Sequence, residues 1–392
     1  MRSAAPLISV IIPTYNRAHM LGDAIQSVLA QTCADWELVV VDDGSTDDTR
    51  RLMGGFGDPR IHYVYEDNKG LPGARNTGIR AAQGNYIAFL DSDDLFLAHK
   101  LQAQLEVLQE RPNLGLLAAG YQEVDRDLRF LREVKPWQQN SHLETSDWLC
   151  HCPFVPNSVV VRREWLERVG LFDEEMRYVE DWDLWLRLSH AGCRMGWLRQ
   201  SVCLYRIHGQ NMVRDVHQMK LGMVHMLDKF YARLDVSEPL KRLRSRAYGN
   251  IYLNIAARAL AGGLGSEAAA SLAQAVAADP SLAGSDPPRF LQSLASFALS
   301  SWVVDAKAFM REAVNLLAVA GLPAYSVREA HALLAATTAF DRYQQGEYGK
   351  VPGHVLLALA RDSHWWRNRG LLSVGVRSAA YALCPPRRKG VG

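Results

Sequence analysis

Residues 86–94 read Tyr86-Ile87-Ala88-Phe89-Leu90-Asp91-Ser92-Asp93-Asp94, an apolar run followed at once by three acids. A short apolar run with β-branched and aromatic residues is typical of a buried strand, so we expect the acids at its carboxyl end. Carboxylates this close together repel one another unless a cation or a proton neutralises part of their charge. Ligands of open α/β sheets bind at that edge, where oxygen ligands suit Mg²⁺ or Mn²⁺ shared with a diphosphate. The alternative is a strand that ends in an Asp-rich turn or helix cap.

The sequence around this stretch predicts alternating strands and helices through roughly the first 200 residues. Strand-like apolar runs lie at 7–12, where Pro13 is expected to end the strand, and at 36–41, 61–65 and 86–90. Helical patterns lie between them at 20–31 and 76–83. Strands separated by helices indicate right-handed βαβ crossovers. The predicted fold class is therefore α/β, with a mostly parallel sheet flanked by helices.

The second half of the chain has a different texture, because strand signals disappear from about residue 213 and alanine and leucine dominate. We expect a sheet domain at 1–215 and an all-α domain at 216–392. The segments 252–280 and 334–363 each contain two helical patterns around a glycine-marked turn. This arrangement resembles degenerate tetratricopeptide-type helical pairs, although an irregular helical bundle is the simpler interpretation.

The tail, residues 363–392, lacks acids and interleaves basic residues, among them Arg387, Arg388 and Lys389, with Trp365, Trp366 and aliphatic side chains. Such a basic amphipathic segment can lie on an anionic membrane surface. It can equally dock its tryptophans on the core of the protein, and base rates favour this second interpretation.

Composition narrows the class of protein. The formal net charge of +2 gives no reason to expect nucleic acid as a partner, and six irregularly spaced cysteines indicate reduced thiols. The first residues run into a predicted strand without a signal-type apolar segment. The apolar stretch 290–304 is too short and too polar to span a bilayer. We therefore expect a cytoplasmic protein whose membrane attachment, if any, is peripheral and at the inner face.

Two further motifs are predicted at the edge of the sheet that carries the acids. Pro13-Thr14-Tyr15-Asn16-Arg17 follows the first strand, and Asp42-Asp43-Gly44-Ser45 ends the second. An Asp at this edge can accept a hydrogen bond from N3–H of a uracil base. A glycine-rich turn at 70–78 leads into a helix, where Arg75 can reach a phosphate or a base carbonyl.

Glu180 and Asp181 open a predicted helix with an apolar face. Acids in a first helical turn complement the helix dipole. A carboxylate there can also face the pocket and take a proton from an attacking hydroxyl group. His208 lies further on and is either a structural histidine, a metal ligand or a donor to a diphosphate.

Together, the motifs at 9–17, 41–45, 74–78, 91–94 and 180–182 resemble those of family 2 glycosyltransferases with the GT-A, Rossmann-like fold. The similarity covers roughly the first 215 residues. It implies an inverting, hexosyltransferase-type enzyme that uses a nucleotide-diphosphate sugar and a divalent cation, Mn²⁺ or Mg²⁺.

Carried over by position, the resemblance also implies roles for individual residues. The nucleotide-binding residues are Pro13, Thr14, Tyr15, Arg17, Asp42, Asp43, Arg75, Asp91 and Ser92, with Asp43 favoured as the uracil contact. Asp91 and Asp93 form the DXD pair, and Asp93, Asp91 and His208 are the metal ligands, with Asp93 favoured as the direct one. Asp181 is the favoured general base, and Glu180 is the competing candidate.

The resemblance therefore predicts transfer of a sugar, with UDP-sugar as the preferred donor, to a hydroxyl group of a glycan or a lipid-linked acceptor in cell-surface polysaccharide assembly. A nucleotidyltransferase is disfavoured because residues 13–17 lack a glycine- and basic-rich loop after the first strand. The remaining alternative is a catalytically inactive, transferase-like module that binds partners or acts as a scaffold.

Overall fold

The computed structural model describes residues 6–209 and 211–383. The chain divides into two compact units, Met1–Leu243 and Arg244–Gly392, called here the sheet unit and the helical unit. The predicted change to helices near residue 213 falls inside the sheet unit, because the helix Val216–Tyr231 belongs to it. The domain boundary at 215/216 stays a prediction.

Within the described residues, nine strands form one curled, mixed sheet in the sheet unit. Their bounds are β1 Ile8–Thr14, β2 Trp36–Asp43, β3 Ile61–Glu66, β4 Tyr86–Phe89, β5 Leu95–Phe96, β6 Leu116–Val124, β7 Phe130–Val134, β8 Val160–Arg162 and β9 Met195–Arg206. The strand order is β3-β2-β1-β4-β8-β6-β9-β5, and β7 pairs with β6.

The pairing directions decide which loops meet. β1 is parallel to β2 and β4, and β2 is parallel to β3, as the alternating pattern predicted. β8 is antiparallel to both β4 and β6, so β6 runs in the same direction as β4, and β9 is parallel to β6. The carboxyl ends of β1, β2, β4, β6 and β9 therefore lie at one edge, called here the functional edge. The α/β fold class is confirmed, with antiparallel pairs added to the parallel half.

The helices of the sheet unit flank this sheet or follow it. They are α1 Ala18–Leu29, α2 Thr49–Met53, α3 Leu71–Ala81, α4 Lys100–Glu110, α5 Thr145–Trp148, α6 Arg163–Val169, α7 Glu180–His190, α8 Val216–Tyr231 and α9 Glu238–Lys241. Short 3₁₀ helices lie at Pro136–Gln138, Pro156–Ser158 and Met212–Arg214.

Two boundaries differ from the predictions. β1 continues through Pro13 to Thr14, because the missing N–H of proline does not prevent parallel pairing with β2. The glycine-rich segment is not a turn into a helix, because α3 already begins at Leu71 and contains Gly73 and Gly78. A Cβ atom at position 78 would overlap Ile11 of β1, so this glycine lets α3 approach the sheet closely.

The helical unit consists of seven helices in its described part. They are α10 Arg244–Ala261, α11 Gly265–Ala278, α12 Arg289–Phe297, α13 Ala306–Val319, α14 Val327–Gln344, α15 Val351–Arg361 and α16 Arg369–Leu383. Their core is a cluster of alanine, leucine and aromatic side chains. The segments singled out as helical pairs correspond to α10 with α11 and to α14 with α15.

The tail begins with a 3₁₀ helix, Ser363–Arg367, and continues as α16. Trp365 and Leu371 are buried in the core of the helical unit, which supports the docking interpretation, while Trp366 is 60% exposed. The basic residues Arg387, Arg388 and Lys389 lie outside the described residues. Within the described residues, no helix is long and apolar enough to cross a membrane.

Candidate functional site

The loop after β1 is tied to the turn after β2. The backbone N–H of Asn16 donates to Ser45 Oγ at 2.9 Å, and the side-chain Oδ1 of Asn16 accepts from the Thr46 N–H at 2.8 Å. Asn16 has a φ of 53°, a left-handed conformation that asparagine tolerates better than most residues. The two predicted nucleotide loops therefore form one structural element at the functional edge.

Side chains of the first loop differ in exposure. Tyr15 is 49% exposed, whereas Pro13 and Thr14 are buried in β1. The Thr14 hydroxyl group is buried and has no hydrogen-bond partner within the described residues. An unsatisfied buried hydroxyl group is costly in a folded protein, so this atom is a candidate contact for a ligand.

Asp42 and Asp43 are buried among neutral donors. Asp42 accepts from the Ser45 N–H at 2.8 Å and from the Tyr63 hydroxyl at 2.5 Å. Asp43 accepts from the backbone N–H groups of Lys69 and Gly70, at 2.7 and 2.9 Å. Burial raises the pKa of Asp43 even though these two backbone hydrogen bonds act in the opposite direction. Each carboxylate keeps lone pairs for a further donor, such as a base N–H.

The turn after β4 is held by Asn157, which lies in the 3₁₀ helix Pro156–Ser158. Its Oδ1 accepts from the Asp91 N–H at 2.7 Å, and its Nδ2 donates to the Asp94 carboxylate. The other oxygen of Asp94 accepts from the Arg206 N–H at 2.6 Å. Burial raises the pKa of Asp94 well above its usual range, with a further contribution from the nearby charges of Asp93 and Asp91. Ser92 is buried inside the same turn.

Asp93 pairs with His208, whose Nε2 lies 2.9 Å from Asp93 Oδ2. Burial alone would raise the pKa of Asp93, but the hydrogen bond from His208 and the charges of Arg17 and His208 outweigh it, so this pKa is lowered. Arg17 therefore acts on Asp93 from the loop after β1. The structure brings the first predicted loop, the acids after β4 and His208 into one region.

Arg75 links the acids after β4 to those that open α7. Its Nη2 donates to Asp91 Oδ1 at 2.7 Å. Its Nη1 donates to Oε1 of Glu180, a residue that lies 105 positions further along the chain. The side chain is 2% exposed, and its Nε has no hydrogen-bond partner within the described residues. Burial lowers the pKa of Arg75, but the charges of Asp91 and Glu180 more than compensate and raise it.

Glu180 and Asp181 share this single guanidinium group but differ in access. Glu180 is buried against Arg75, and burial raises its pKa to about 7 despite the opposing charge of Arg75. Asp181 is only partly buried, and burial raises its pKa also. One oxygen of Asp181 accepts from the Trp182 N–H at 2.8 Å. Asp181 is thus the better placed of the two to meet a substrate.

The fit of a divalent cation depends on the donor set. Within residues 6–209 and 211–383, no group of three or more His, Cys, Asp or Glu side chains is arranged to hold a metal ion. Asp91 is engaged by Arg75, and Asp93 is engaged by His208. Hard cations such as Mg²⁺ often use one or two protein carboxylates and take their other ligands from phosphates and water. The carboxylates here fit a shared site of that kind.

Three residues of this network were not predicted as site residues or were given another role. No motif predicted roles for Arg206 and Tyr63. The sheet register alone brings Arg206 to Asp94 and Tyr63 to Asp42. Asn157 holds the turn of the acids, a role that no motif predicted. A polar residue beside Pro156, between apolar runs, was the one available signal.

Residues 9–170 match the family described as "Glycosyl transferase family 2". The chain is 47% identical over 214 residues to TuaG of Bacillus subtilis, described as a teichuronic acid biosynthesis glycosyltransferase, and the match covers 53% of this chain and 81% of TuaG.

Two further relatives are informative. WfgD of Escherichia coli, a UDP-Glc:alpha-D-GlcNAc-diphosphoundecaprenol beta-1,3-glucosyltransferase, is 36% identical over 183 residues, which are 46% of this chain and 69% of WfgD. An uncharacterized glycosyltransferase of Rickettsia prowazekii, RP339, is 36% identical over 187 residues. That match spans 47% of this chain and only 58% of the relative.

A solved structure with the same fold is the mannosyltransferase PcManGT from Pyrobaculum calidifontis, in complex with GDP-Man and Mn²⁺. The TM-score is 0.51 at 22% sequence identity, over 80% of this chain and 88% of that protein. This similarity confirms the GT-A fold.

Proposed function

Because the chain belongs to the family 2 glycosyltransferases, we propose that it transfers a sugar from a nucleotide-diphosphate donor to a hydroxyl group with inversion at the anomeric carbon. The observation that carries this proposal is the Arg75 bridge between Asp91 and Glu180. It joins the acids after β4 to the start of α7, so that candidate donor-binding and candidate base residues share one site at the functional edge.

Asp181 is the proposed general base. Its partly exposed carboxylate accepts the proton of the acceptor hydroxyl group while that oxygen forms a bond to the anomeric carbon. The bond from the anomeric carbon to the diphosphate oxygen breaks in the same displacement, and the nucleoside diphosphate leaves. A single displacement inverts the configuration of the anomeric carbon.

Glu180 and Arg75 are proposed to position this base. Arg75 is the cation shared by Asp91, Glu180 and Asp181, and it is too buried to follow a substrate. Its contact with Glu180 holds the first turn of α7 against the turn after β4. The predicted nucleotide contact of Arg75 is therefore proposed as an indirect one, through Asp91.

The donor site is proposed to lie along the two nucleotide loops. Asp43 or Asp42 accepts the base N–H, Tyr15 and Thr14 line the nucleoside, and Arg17 approaches the diphosphate beside Asp93. Asp93, with Asp91 or His208 beside it, would hold a divalent cation that takes its other ligands from the diphosphate and water, and such a cation would supply positive charge where the leaving diphosphate develops negative charge. Mn²⁺ in the PcManGT complex supports this assignment.

UDP-sugar is the proposed donor, and a glycan or lipid-linked intermediate of surface-polysaccharide assembly is the proposed acceptor. The name of WfgD supports both choices, since it specifies UDP-Glc and a diphosphoundecaprenol-linked acceptor. The name of TuaG, which specifies teichuronic acid biosynthesis, supports a role in polysaccharide synthesis. GDP-Man in PcManGT is the competing donor chemistry.

The test begins with the thermal stability of the full chain in the presence of UDP, GDP, CDP or dTDP, each with and without Mn²⁺. We expect the largest stabilisation with UDP plus Mn²⁺, because a ligand that binds only the folded state raises the melting temperature. Transfer from matching sugar nucleotides to a short-chain, water-soluble diphosphate-linked GlcNAc acceptor is then followed by mass spectrometry.

The outcomes separate the alternatives. A larger rise in melting temperature with GDP would leave the proposed transferase activity standing and overturn the choice of UDP-sugar as donor. Nucleotide binding without transfer or donor hydrolysis would favour the inactive binding module. A folded protein that responds to none of the four nucleotides would overturn the proposed function.

A further inference from the structure

Val179, the residue just before α7, has a backbone conformation that valine rarely adopts. Its φ is 56° and its ψ is 25°, which is the left-handed region. Within the described residues, the other residues with positive φ that are not glycine are Asn16 and Leu128, so Val179 is the β-branched member of this set. The left-handed region crowds the Cβ atom, most severely when the side chain is β-branched. Contacts with the surrounding structure must therefore hold this conformation.

The start of α7 does not itself require a left-handed residue. The residue before a helix is normally extended, and a Ser, Thr, Asp or Asn side chain there accepts from the first turn. Val179 makes no side-chain hydrogen bond of this kind, and its carbonyl oxygen accepts from the Asp183 N–H at 3.0 Å, as in an ordinary helix. The conformation does set the direction in which the next two residues, Glu180 and Asp181, leave the preceding loop.

The helix α8 lies directly against the segment before α7. An added Cβ atom at Gly222 of α8 would come 2.9 Å from the Tyr178 carbonyl oxygen and 3.2 Å from Val179 Cγ2. A glycine at this point therefore permits an approach that a larger residue would disturb. Asp215, whose side chain caps α8, lies beside Tyr178, since burial together with the hydrogen bond and charge of Asp215 raises the pKa of Tyr178.

A second contact from α8 reaches both sides of the candidate base. Lys229 donates to Asp173, which precedes α7, at 2.6 Å. It also donates at 3.2 Å to Asp183, a buried carboxylate in the first turn of α7. α8 thus holds the chain before and after Asp181.

This helix lies outside the sequence that carries the family match. The match covers residues 9–170, and α8 begins at Val216. The sequence assigned α8 to the helical half of the chain, whereas the structure places it in the sheet unit. Its contacts with the segment before α7 give it a role in the candidate site.

We propose that α8, through Gly222 and Lys229, holds Val179 in the left-handed conformation and thereby positions Asp181 for proton transfer. Gly222, Lys229 and Val179 are positioning residues, because they act through Asp181. The inference rests on the proposed function, in which Asp181 is the general base. Misplacement of a reacting group by about 1 Å costs up to about 100-fold in rate, so a small shift of α8 is enough to slow transfer.

The first test variant is Gly222→Ala, and its matched control is Gly22→Ala in α1. Both changes place a methyl group inside a helix of the sheet unit, but the atom nearest to the new Cβ at position 22 is Leu52 Cδ1, at an ordinary 3.9 Å. We expect Gly222→Ala to lower the rate constant of transfer at least about ten-fold and to leave the dissociation constant for UDP within about a factor of two. The control should keep both values within about a factor of two of wild type.

The decisive measurement repeats Gly222→Ala in the Asp181→Asn background. If residue 222 acts through Asp181, the change to asparagine leaves no base for α8 to position, so the additional loss of rate should be below about two-fold. A general disturbance of the fold would lower the rate by the same factor in both backgrounds, and that result would overturn the inference. Melting temperatures of all variants ensure that rates are compared where each chain is folded.

Lys229→Met is a second variant that adds no crowding, and it tests the inference even if the methyl group at position 222 unfolds the chain. It releases Asp173 and Asp183 from α8, so we expect transfer to be at least about three-fold slower, and only when Asp181 is present. Lys241→Met in α9 is the control, since Lys241 pairs with Glu238 at the exposed surface.

The outcomes separate this inference from the proposed function. Wild-type rates for Gly222→Ala and Lys229→Met, beside an inactive Asp181→Asn, would overturn the inference and leave the proposed function standing. A wild-type rate for Asp181→Asn would remove the proposed base, and the inference with it, while sugar transfer itself would stand. Absence of transfer by the wild-type chain would overturn both.

Discussion

The sheet unit and the helical unit differ in what they bury. Among the described residues, the polar side chains buried in the helical unit are Ser271, Asp279 and Ser378. All the remaining buried polar or charged side chains of the described residues lie in the sheet unit, among them Arg75, Asp94, Lys100 and Glu180. Burying charge is expensive, whereas packing alanine and leucine is favourable. The sheet unit thus gives up stability where the candidate chemistry lies, and the helical unit does not.

The sheet unit is not uniform in how its buried acids are satisfied. In the sheet unit, Asp42 and Asp43 are satisfied by neutral donors, whereas Asp91, Asp93 and Glu180 rely on Arg75 and His208. Groups held by neutral backbone donors fix loops, and groups that share a cation respond together when one member changes. Four substitutions test whether this contrast between the units reflects function, from the largest expected effect to the smallest.

The largest effect is expected from Asp181→Asn, which removes the proposed base and keeps its shape. We expect the rate constant of transfer to fall about 1,000-fold, while the dissociation constant for UDP stays within about a factor of two. Glu180→Gln is the comparison, and we expect a smaller loss because Glu180 acts through Arg75. A larger loss for Glu180→Gln than for Asp181→Asn would exchange the two roles.

Arg75→Met leaves two carboxylates, Asp91 and Glu180, without their shared cation. Breaking a buried ion pair on one side costs about 3–5 kcal/mol, so the free energy of unfolding of the sheet unit should fall by that amount. Urea denaturation at neutral pH measures it. Arg258→Met in the helical unit is the control, since Arg258 is only partly buried and donates to Asn254, and a loss below about 1 kcal/mol is expected. Equal losses of unfolding free energy in the two variants would remove the contrast between the sheet unit and the helical unit.

Leu291→Ala creates a cavity in the core of the helical unit, where Leu291 is fully buried. A substitution of this kind costs about 3 kcal/mol. We expect the helical unit to unfold at a lower urea concentration while the affinity of the chain for UDP is unchanged. Weaker UDP binding at temperatures where the variant is folded would show that the helical unit contributes to the nucleotide site.

Lys100→Met probes a buried charge that the proposed chemistry does not use. Lys100 is fully buried, and burial lowers its pKa from 10.5 to about 7. At about 1.4 kcal/mol per pKa unit, removing the buried amine raises the free energy of unfolding by up to about 4 kcal/mol at pH 7. Loss of the hydrogen bonds to Gln104 and the Val159 carbonyl offsets about 2 kcal/mol, so the net gain is about 2 kcal/mol.

The pH dependence of this last variant has a definite sign. Between about pH 7 and pH 10 the unfolded chain binds a proton at Lys100 that the folded chain does not, so the stability of wild type rises with pH. The advantage of Lys100→Met should therefore shrink across this range, as followed by urea denaturation at several pH values. A constant difference would mean that Lys100 stays protonated in the folded protein.

Much of the fold was predictable because its signals are local. The apolar runs of β1, β2 and β4 are continuous and buried, whereas β3 lies partly exposed, and the helix that begins at Glu180 was predicted at its observed start. Predictions that depended on single residues were weaker. Pro13 was expected to end β1, but the backbone there needs no N–H, and the glycines of 70–78 serve close packing of α3 instead of a turn.

The antiparallel half of the sheet was not predicted. β8 is only three residues long, and β6 and β9 lie far apart in the chain, so no local periodicity announces their pairing. That half places Asn157, Arg206 and the β6–β7 hairpin at the functional edge. The site residues named from motifs remain predictions of role, although the structure locates them in one region.

The sequence by itself determined the α/β class, the family and the position of each acid at the end of a strand or the start of a helix. These follow from short-range patterns, since a strand ends where its apolar run ends and the next polar residues emerge at the edge. Only the tertiary structure determined which charged and polar side chains contact one another. Arg75 meets Glu180 across 105 residues, and Asn157 reaches Asp94 across 63, because long-range contacts depend on sheet register and helix packing that no local pattern encodes.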